Sequence, residues 1–399
     1  MTASTHNAVD NVLERFAHLN DRIRLVPTDK IIRFATDSFR VGKSVKSFTV
    51  ESRVGGEIVR DSRRREKGDK LIKQSTIIFT TCASAGLGAL RAIDFDIALI
   101  DEASQITEPV GLILLVKGCK KAVLVGDHVQ LRPMVRSLGH ALLHDISLFE
   151  RLYKGPDVAG LSKTMLNVSK AIVNRTLEKT YYIVFQVQYR FPEALAKFPS
   201  SEFYNGELQS DITGERASAI LQPLLGSKFP WPRTNAEIQS AIFVHCGTEE
   251  DFGGQSKSNE GQATLIKYII YLLSTSEVTG DRLSDDEMPS ITVLSPYTKQ
   301  TKLLRSILRV PVSTIDSFQG RESDIIVFST VRSNALTDIG FVEDERRLNV
   351  AWTRARKALV VVGDKNTMTA SVERWQRAIK SCFEVQITAP ETEVLSGTR

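Results

Sequence analysis

Cysteine is scarce in this chain: four among 399 residues, Cys82, Cys119, Cys246 and Cys382. No two stand at a metal-ligand spacing such as Cys-x-x-Cys, and four in so long a chain make no disulfide framework. They read as reduced thiols, so an intracellular protein is expected, with nucleus and cytoplasm both open. The first ten residues are polar and carry no secretory signal. Long hydrophobic runs are also missing. Stretches such as Tyr268–Leu273 are far too short to cross a bilayer, so no membrane partner is expected. There is no internal repeat and no long low-complexity tract. The formal net charge is only +5, which permits a polyanionic partner without demanding one.

What is present is an ordinary globular composition, 42% hydrophobic and 25% charged, long enough for two or three domains. Apolar runs at 77–80, 97–100, 122–125, 241–245, 291–294, 325–330 and 359–362 read as strands buried on both faces. Helical patterns lie between them, at 9–16, 262–273, 298–308 and 372–381. Strand and helix in alternation argue for an α/β protein with parallel sheets. Residues 56–73 are rich in Arg and Lys with interspersed acids, readable as a solvated helix or as a phosphate-contacting subdomain. Residues 274–289 read as a polar loop, and 389–399 as a frayed tail.

Five segments carry candidate chemistry. The strand Ile97–Ile100 runs into two acids, Asp101 and Glu102, at the edge where a parallel sheet presents side chains to ligands. One such carboxylate can hold Mg²⁺ while the other orients or deprotonates an attacking water. A second strand ends in Gly126-Asp127 and is followed by Gln130, an amide suited to sensing a terminal phosphate. In Gln188-Tyr189-Arg190, tyrosine offers a stacking face and arginine a bidentate fork for phosphate. In the segment from Val312 to Asp324, Gly320 permits close backbone approach, and Glu322 can accept from a ribose hydroxyl or orient an arginine. Finally, Arg347, Arg354 and Arg356 fall in a stretch read as helical. There Arg347 and Arg354, seven apart, share a face, and an arginine can neutralise charge on a transferred phosphoryl group.

Taken together and in order, these segments resemble the superfamily 1 helicases. The nearest subgroup is the one containing the nonsense-mediated mRNA decay helicase and senataxin-like enzymes. Asp101-Glu-Ala-Ser-Gln looks like motif II and Gly126-Asp-His-Val-Gln-Leu-Arg-Pro like motif III. Gln188-Tyr-Arg resembles the start of Gln-Tyr-Arg-Met-His-Pro, Ser313–Asp324 motif V, and Arg346–Arg356 motif VI. The opening residues, from Thr2 to Asn11, are similar to motif Ia. The resemblance implies two RecA-like parallel-sheet domains with ATP in the cleft and one strand of RNA or DNA across the top. It makes Asp101 the Mg²⁺ ligand, Glu102 the catalytic base and Gln130 the γ-phosphate contact. Arg190 and Arg354 become the arginine fingers. Tyr189 stacks on the base, and Gly320 and Glu322 touch the nucleotide. Strand contacts fall to Thr2, Ser4, Asn7, Thr81, Pro296 and Thr314. The implied activity is ATP-dependent movement along a nucleic acid, by a monomer whose protein partners are unknown.

Two departures qualify this. No Gly-x-x-x-x-Gly-Lys-[Ser/Thr] occurs in the 399 residues, and Gly42-Lys43-Ser44 reads as coincidence. Without that loop the backbone amides and lysine that cradle phosphates are missing. The first domain is therefore expected to be incomplete at its amino end, with a sheet edge or core face exposed, and ATP hydrolysis is expected to be slight or nil. The alternative reading is a non-catalytic single-strand binder. Second, residues 168–186 have no family counterpart, and Asn167 would join naturally to Val187. Val-Ser at the start and Phe-Gln at the end are compatible with translated splice sites, so a retained intron and a genuine surface insertion both stand. The expected domains are residues 1–167, with an accessory insertion near 35–75, and residues 187–388.

Overall fold

The structure is a computed structural model that describes residues 1–56, 61–155, 161–166, 180–185, 187–234, 237–318, 320–370 and 372–390. The chain forms two compact units, one over Met1–Leu166 and one from Phe185 onward.

The first unit is built on five parallel strands: β1 (Thr2–Ala3), β2 (Ile31–Arg33), β3 (Ile77–Thr81), β4 (Ile97–Ile100) and β5 (Lys121–Leu124). They lie in the order β2-β3-β1-β4-β5, with Thr2 opposite both Thr80 and Ile100. The helix His6–Ile23 follows β1. Thr5 caps it by accepting from Ala8 N, and its apolar residues Val9 and Leu13 turn inward onto Ala3, Ile31 and Phe79. Arg33 is fully buried in β2 and donates through Nε to Asp10 at 2.6 Å, which ties the helix to the sheet edge. The basic stretch forms a helix, Ser62–Gln74, started by Asp61 accepting from two backbone amides and burying only Gly68 and Ile72. It is a charged and largely exposed helix, a form that both expected readings share.

The face of β4 departs from the expected double coverage. Ala98 and Ile100 enter a core with Leu114 and Phe149. On the other face Ile97 and Leu99, with Val123 of β5, are exposed. The strands β6 (Leu161–Leu166) and β7 (Thr180–Phe185) pair with each other. The remainder of the expected insertion at 168–186 lies outside the described residues.

In the second unit β8 (Val187–Pro192) pairs with β9 (Gln209–Ile212), and β10 (Arg233–Thr234) with β11 (Glu237–Ile238). The main sheet contains β12 (Ala241–His245), β13 (Ile291–Ser295), β14 (Val312–Thr314), β15 (Ser323–Ser329), β16 (Ala355–Gly363) and β17 (Phe383–Glu384), in the order β14-β13-β15-β16-β12-β17. All of its pairings are parallel. Here the central strands are covered on both faces, and β13 is buried from end to end. The helix Glu260–Ser274 supplies Leu265, Ile266 and Ile269 to this core. Among the described residues no helix is long and apolar enough to cross a membrane.

One helix is shorter than its sequence suggests. It spans Glu345–Trp352, and Thr353 is its C-cap. Arg354 therefore sits outside it and Arg356 within β16, so Arg347 and Arg354 do not share a helical face. The reason is local: β-sheet pairing of Ser323 with Ala355 captures the chain directly after the cap.

Candidate functional site: an acid edge and an arginine edge

In the first unit β1 lies between β3 and β4, so successive strands are laid down on opposite sides of it. At the carboxyl end of such a switch the loops part and leave a crevice. Asp101 follows β4 here, with its backbone N donating to Thr2 O at 2.8 Å. Glu102 adopts a left-handed conformation, φ 52°, unusual for a residue with a Cβ and a hallmark of strained functional turns. Its carboxylate accepts from Gln105 Nε2.

The loop after β5 is laced to this turn. Ala103 N donates to Val125 O at 2.8 Å, and Asp127 N to Ser104 Oγ at 3.3 Å. A Cβ on Gly126 would stand 2.9 Å from Ser104 N, so only glycine admits so close a backbone approach. Asp127 then holds Gln130, whose Nε2 donates to Asp127 Oδ2 at 2.8 Å. Asp101, Glu102 and Gln130 are thus fixed through one hydrogen-bonded pair of loops. Asp127 was not singled out from sequence. Its signal was its place three residues before Gln130, the spacing of a local side-chain turn.

Burial pushes the Asp101 carboxyl above the usual carboxylate range, partly opposed by a hydrogen bond from the Glu102 backbone and by Arg15. No Lys or Arg among the described residues forms an ion pair with it. Among the described residues no group of three His, Cys, Asp or Glu could cage a metal. Mg²⁺ keeps several waters and takes one or two carboxylates with substrate phosphates. A half-buried, unneutralised acid is the donor such an ion needs, so the residues present fit it.

Of the strand contacts expected in this unit, Asn7 is exposed and Ser4 partly so. Thr2 and Thr81 are buried, 2% and 5% exposed. The Thr2 hydroxyl lies between Leu99 O and Cys82 Sγ, and Thr81 Oγ1 donates to Ser84 Oγ at 2.8 Å. Both hydroxyls are engaged within the fold. A β-branched hydroxyl residue fits a central strand as well as it fits a phosphate.

The second unit gathers arginines at the amino edge of its sheet. Gln188 shapes the approach: its Oε1 accepts from Arg190 N and Phe191 N, and its Nε2 donates to Phe191 O at 2.6 Å. This clamp leaves Tyr189 52% exposed. Arg190 Nε donates to Glu322 Oε2 at 2.8 Å and its NH1 to Thr353 O at 2.9 Å. Glu322 also lies 3.8 Å from Arg356, which pairs with Asp324 at 3.0 Å. Of the two roles open to Glu322, orienting an arginine is the one its geometry serves. Gly320 takes φ 73°, the left-handed turn that glycine adopts at no steric cost. Arg354 is buried, with its Nε donating to Val350 O at 3.2 Å.

The carboxyl edge of the same sheet holds Pro296 and Thr314, both partly exposed. Behind Pro296 a buried amide network fixes the backbone. Gln300 accepts from Asn259 N at 2.8 Å and donates to Ser329 Oγ. Asn259 Nδ2 donates to Val331 O, and Gln262 Oε1 accepts from Val331 N at 2.9 Å. The two amides thereby hold Val331, a β-branched residue, at φ 70°. Next to it Arg332 pairs with Glu250 at 2.8 Å and Asp338 at 2.9 Å and donates to Tyr297 Oη. Burial alone would weaken its hold on the proton, but Tyr297, Asp338 and Glu250 together raise it.

Comparison with known proteins agrees with this architecture. Two family models, each described as an AAA domain, match residues 145–366 and 55–138, the first spanning more than half of the chain. The regulator of nonsense transcripts 1 of Caenorhabditis elegans is 32% identical over 322 residues, taking in 79% of this chain and 27% of its own length. The ATP-dependent helicase NAM7 of Saccharomyces cerevisiae is 34% identical over 319 residues, 76% of this chain and 29% of its own. The DNA polymerase alpha-associated DNA helicase A of Schizosaccharomyces pombe is 30% identical over 404 residues, 90% of this chain and 56% of its own. The chain thus spans between about a quarter and somewhat over half of these relatives. With its two parallel-sheet units and a family model matching more than half of its length, the chain belongs to the AAA-domain family.

Proposed function

We propose that this chain forms the core of an ATP-dependent helicase or translocase acting on a single strand of RNA or DNA. The observation that supports this most is Asp101: a half-buried acid at a sheet switch point, with no ion pair to a Lys or Arg among the described residues, in a turn laced to the loop of Gln130. In this reading Asp101 holds Mg²⁺, which would supply charge neutralisation at the phosphates, and Glu102 takes the proton of the attacking water. Gln130 positions that water or the terminal phosphate. From the second unit Tyr189 stacks on the base and Arg190, steered by Glu322 and Thr353 O, reaches a phosphate with its remaining NH2 group. Arg354, buried between the helix Glu345–Trp352 and β16, completes the cationic edge. Ser4, Asn7, Pro296 and Thr314 contact the strand.

The 399 residues contain no Gly-x-x-x-x-Gly-Lys-[Ser/Thr], so as a chain of this length they bind a single strand and hydrolyse ATP little. The test is paired. Anisotropy with a labelled oligonucleotide measures binding at rising salt, and single-turnover hydrolysis is followed with saturating strand. Salt-sensitive binding with background hydrolysis is expected. Hydrolysis at a motor's rate, on the order of 10 per second, would overturn the claim of weak turnover. Failure to bind any single strand would overturn the helicase reading.

A further inference from the structure

The loop between β12 and the helix Glu260–Ser274 lies at the carboxyl edge of the second unit's sheet, and its stem is fixed on two sides. Glu250 N donates to Ser333 O at 3.0 Å, while Glu250 Oε2 accepts from Arg332 and from Ser333 N. Asp251 N donates to Ser258 O at 2.9 Å, and Asp251 Oδ1 accepts from Ser258 N at 2.7 Å. Ser256 Oγ accepts from Lys299 N at 2.9 Å, in the first turn of the helix Thr298–Ile307. The loop therefore joins the turn carrying Pro296 to the turn carrying Val331.

From this held stem projects a short tip, Phe252-Gly253-Gly254-Gln255, bent at Gly254 with φ 71°. Phe252 is 86% exposed. A phenyl ring left in water on a fixed stem gains from any apolar face that covers it. Its sequence neighbours are aspartate on one side and glycine, glutamine and serine on the other, so the loop itself builds no contiguous apolar patch of the kind that marks a protein-docking face. Two of the loop's three acids are engaged, Glu250 by Arg332 and Asp251 by Lys299, and Glu249 is exposed. Lys257 touches Asp251 O at 3.3 Å with one of its three donors.

We propose that Phe252 stacks on a base of single-stranded nucleic acid crossing the carboxyl edge of this unit, with Lys257 on the adjoining phosphate. This rests on the single-strand reading above. A planar ring beside a cation grips any base by its face, which gives affinity with little sequence preference. None of the motifs that point to the family contains Phe252, so it adds a contact outside them.

The test uses the 399-residue chain, a labelled oligonucleotide, and a series carrying one abasic site moved along the strand. Phe252→Ala is expected to weaken binding about tenfold. One abasic position should weaken the wild type by a similar factor and leave Phe252→Ala unaffected. Phe252→Trp should retain affinity and gain an emission that the oligonucleotide quenches. Lys257→Gln should lower the salt slope by about one. Equal binding of Phe252→Ala, no abasic discrimination and no quenching would overturn the proposal while the single-strand reading stood. Loss of self-association in Phe252→Ala with unchanged oligonucleotide binding would assign the ring to a protein contact and overturn it too. A wild type that binds no oligonucleotide would instead remove the reading on which it rests.

Discussion

Asp101 in the first unit and Glu250 in the second are both acids at the carboxyl edge of a parallel sheet, and the two units treat them oppositely. Glu250 is buried against Arg332, Ser333 N and Asn334. Glu322, at the other edge of the second sheet, is shared by two arginines. Asp101 has a backbone amide and a distant arginine, and burial pushes its carboxyl up. The second unit keeps its charge balanced in the folded chain. The first keeps one acid poorly compensated, which costs stability and makes the position receptive to a cation. An unneutralised acid is the mark of a binding site, and a neutralised one the mark of a scaffold.

Substitutions can break this contrast. The largest effect is expected at Arg332, 7% exposed in its side chain against Glu250 at 5%. Arg332→Ala strands a buried carboxylate and should cost about 3–5 kcal/mol in urea unfolding of the second unit. A loss below about 1 kcal/mol would show that water reaches the pair. Gly126→Ala comes next. Its methyl meets Ser104 N and Ala103 N at 2.9 and 3.2 Å, and prising the two loops apart should cost about 1–3 kcal/mol in the first unit alone.

The pair of Arg190 and Glu322 is about a third exposed on each side. A double-mutant cycle with alanine at both positions should return a coupling of about 0.5–1 kcal/mol. No coupling would mean that Glu322 does not steer the arginine. The smallest effect carries the opposite sign. Because the folded-state carboxyl of Asp101 is raised, its penalty is absent below the unfolded value and grows as pH rises through the folded one. Asp101→Asn should therefore raise the melting temperature at pH 7 by roughly 1–2 °C. At pH 3, where the wild-type acid is already protonated, the gain should vanish. A melting temperature lowered at pH 7 would show that the acid is not the destabilising group it resembles.

Much of this was legible in the chain. The runs at 77–80, 241–245 and 291–294 and the helical pattern at 262–273 lie within β3, β12, β13 and the helix Glu260–Ser274, and the run at 97–100 is β4, though covered on one face only. What stayed hidden has physical reasons. β1 is two residues long, too short for any period to show. β2 carries Arg33, whose charge disguises a buried strand until Asp10 is seen beside it. Arg354 looked helical by spacing, yet pairing of Ser323 with Ala355 draws it out of the helix. The left-handed turns at Glu102 and Val331 have no sequence signal at all. Each is set by tertiary hydrogen bonds from residues remote in the chain.

β15 has a mechanical consequence. It begins one residue after Glu322 and ends two residues before Val331, so a single buried strand joins the arginine edge to the edge where Phe252 stands. Seven residues of strand measure roughly 23 Å, and close-packed interiors yield little under load. β15 is a strut. The loops at its two ends are therefore held at one spacing within the second unit.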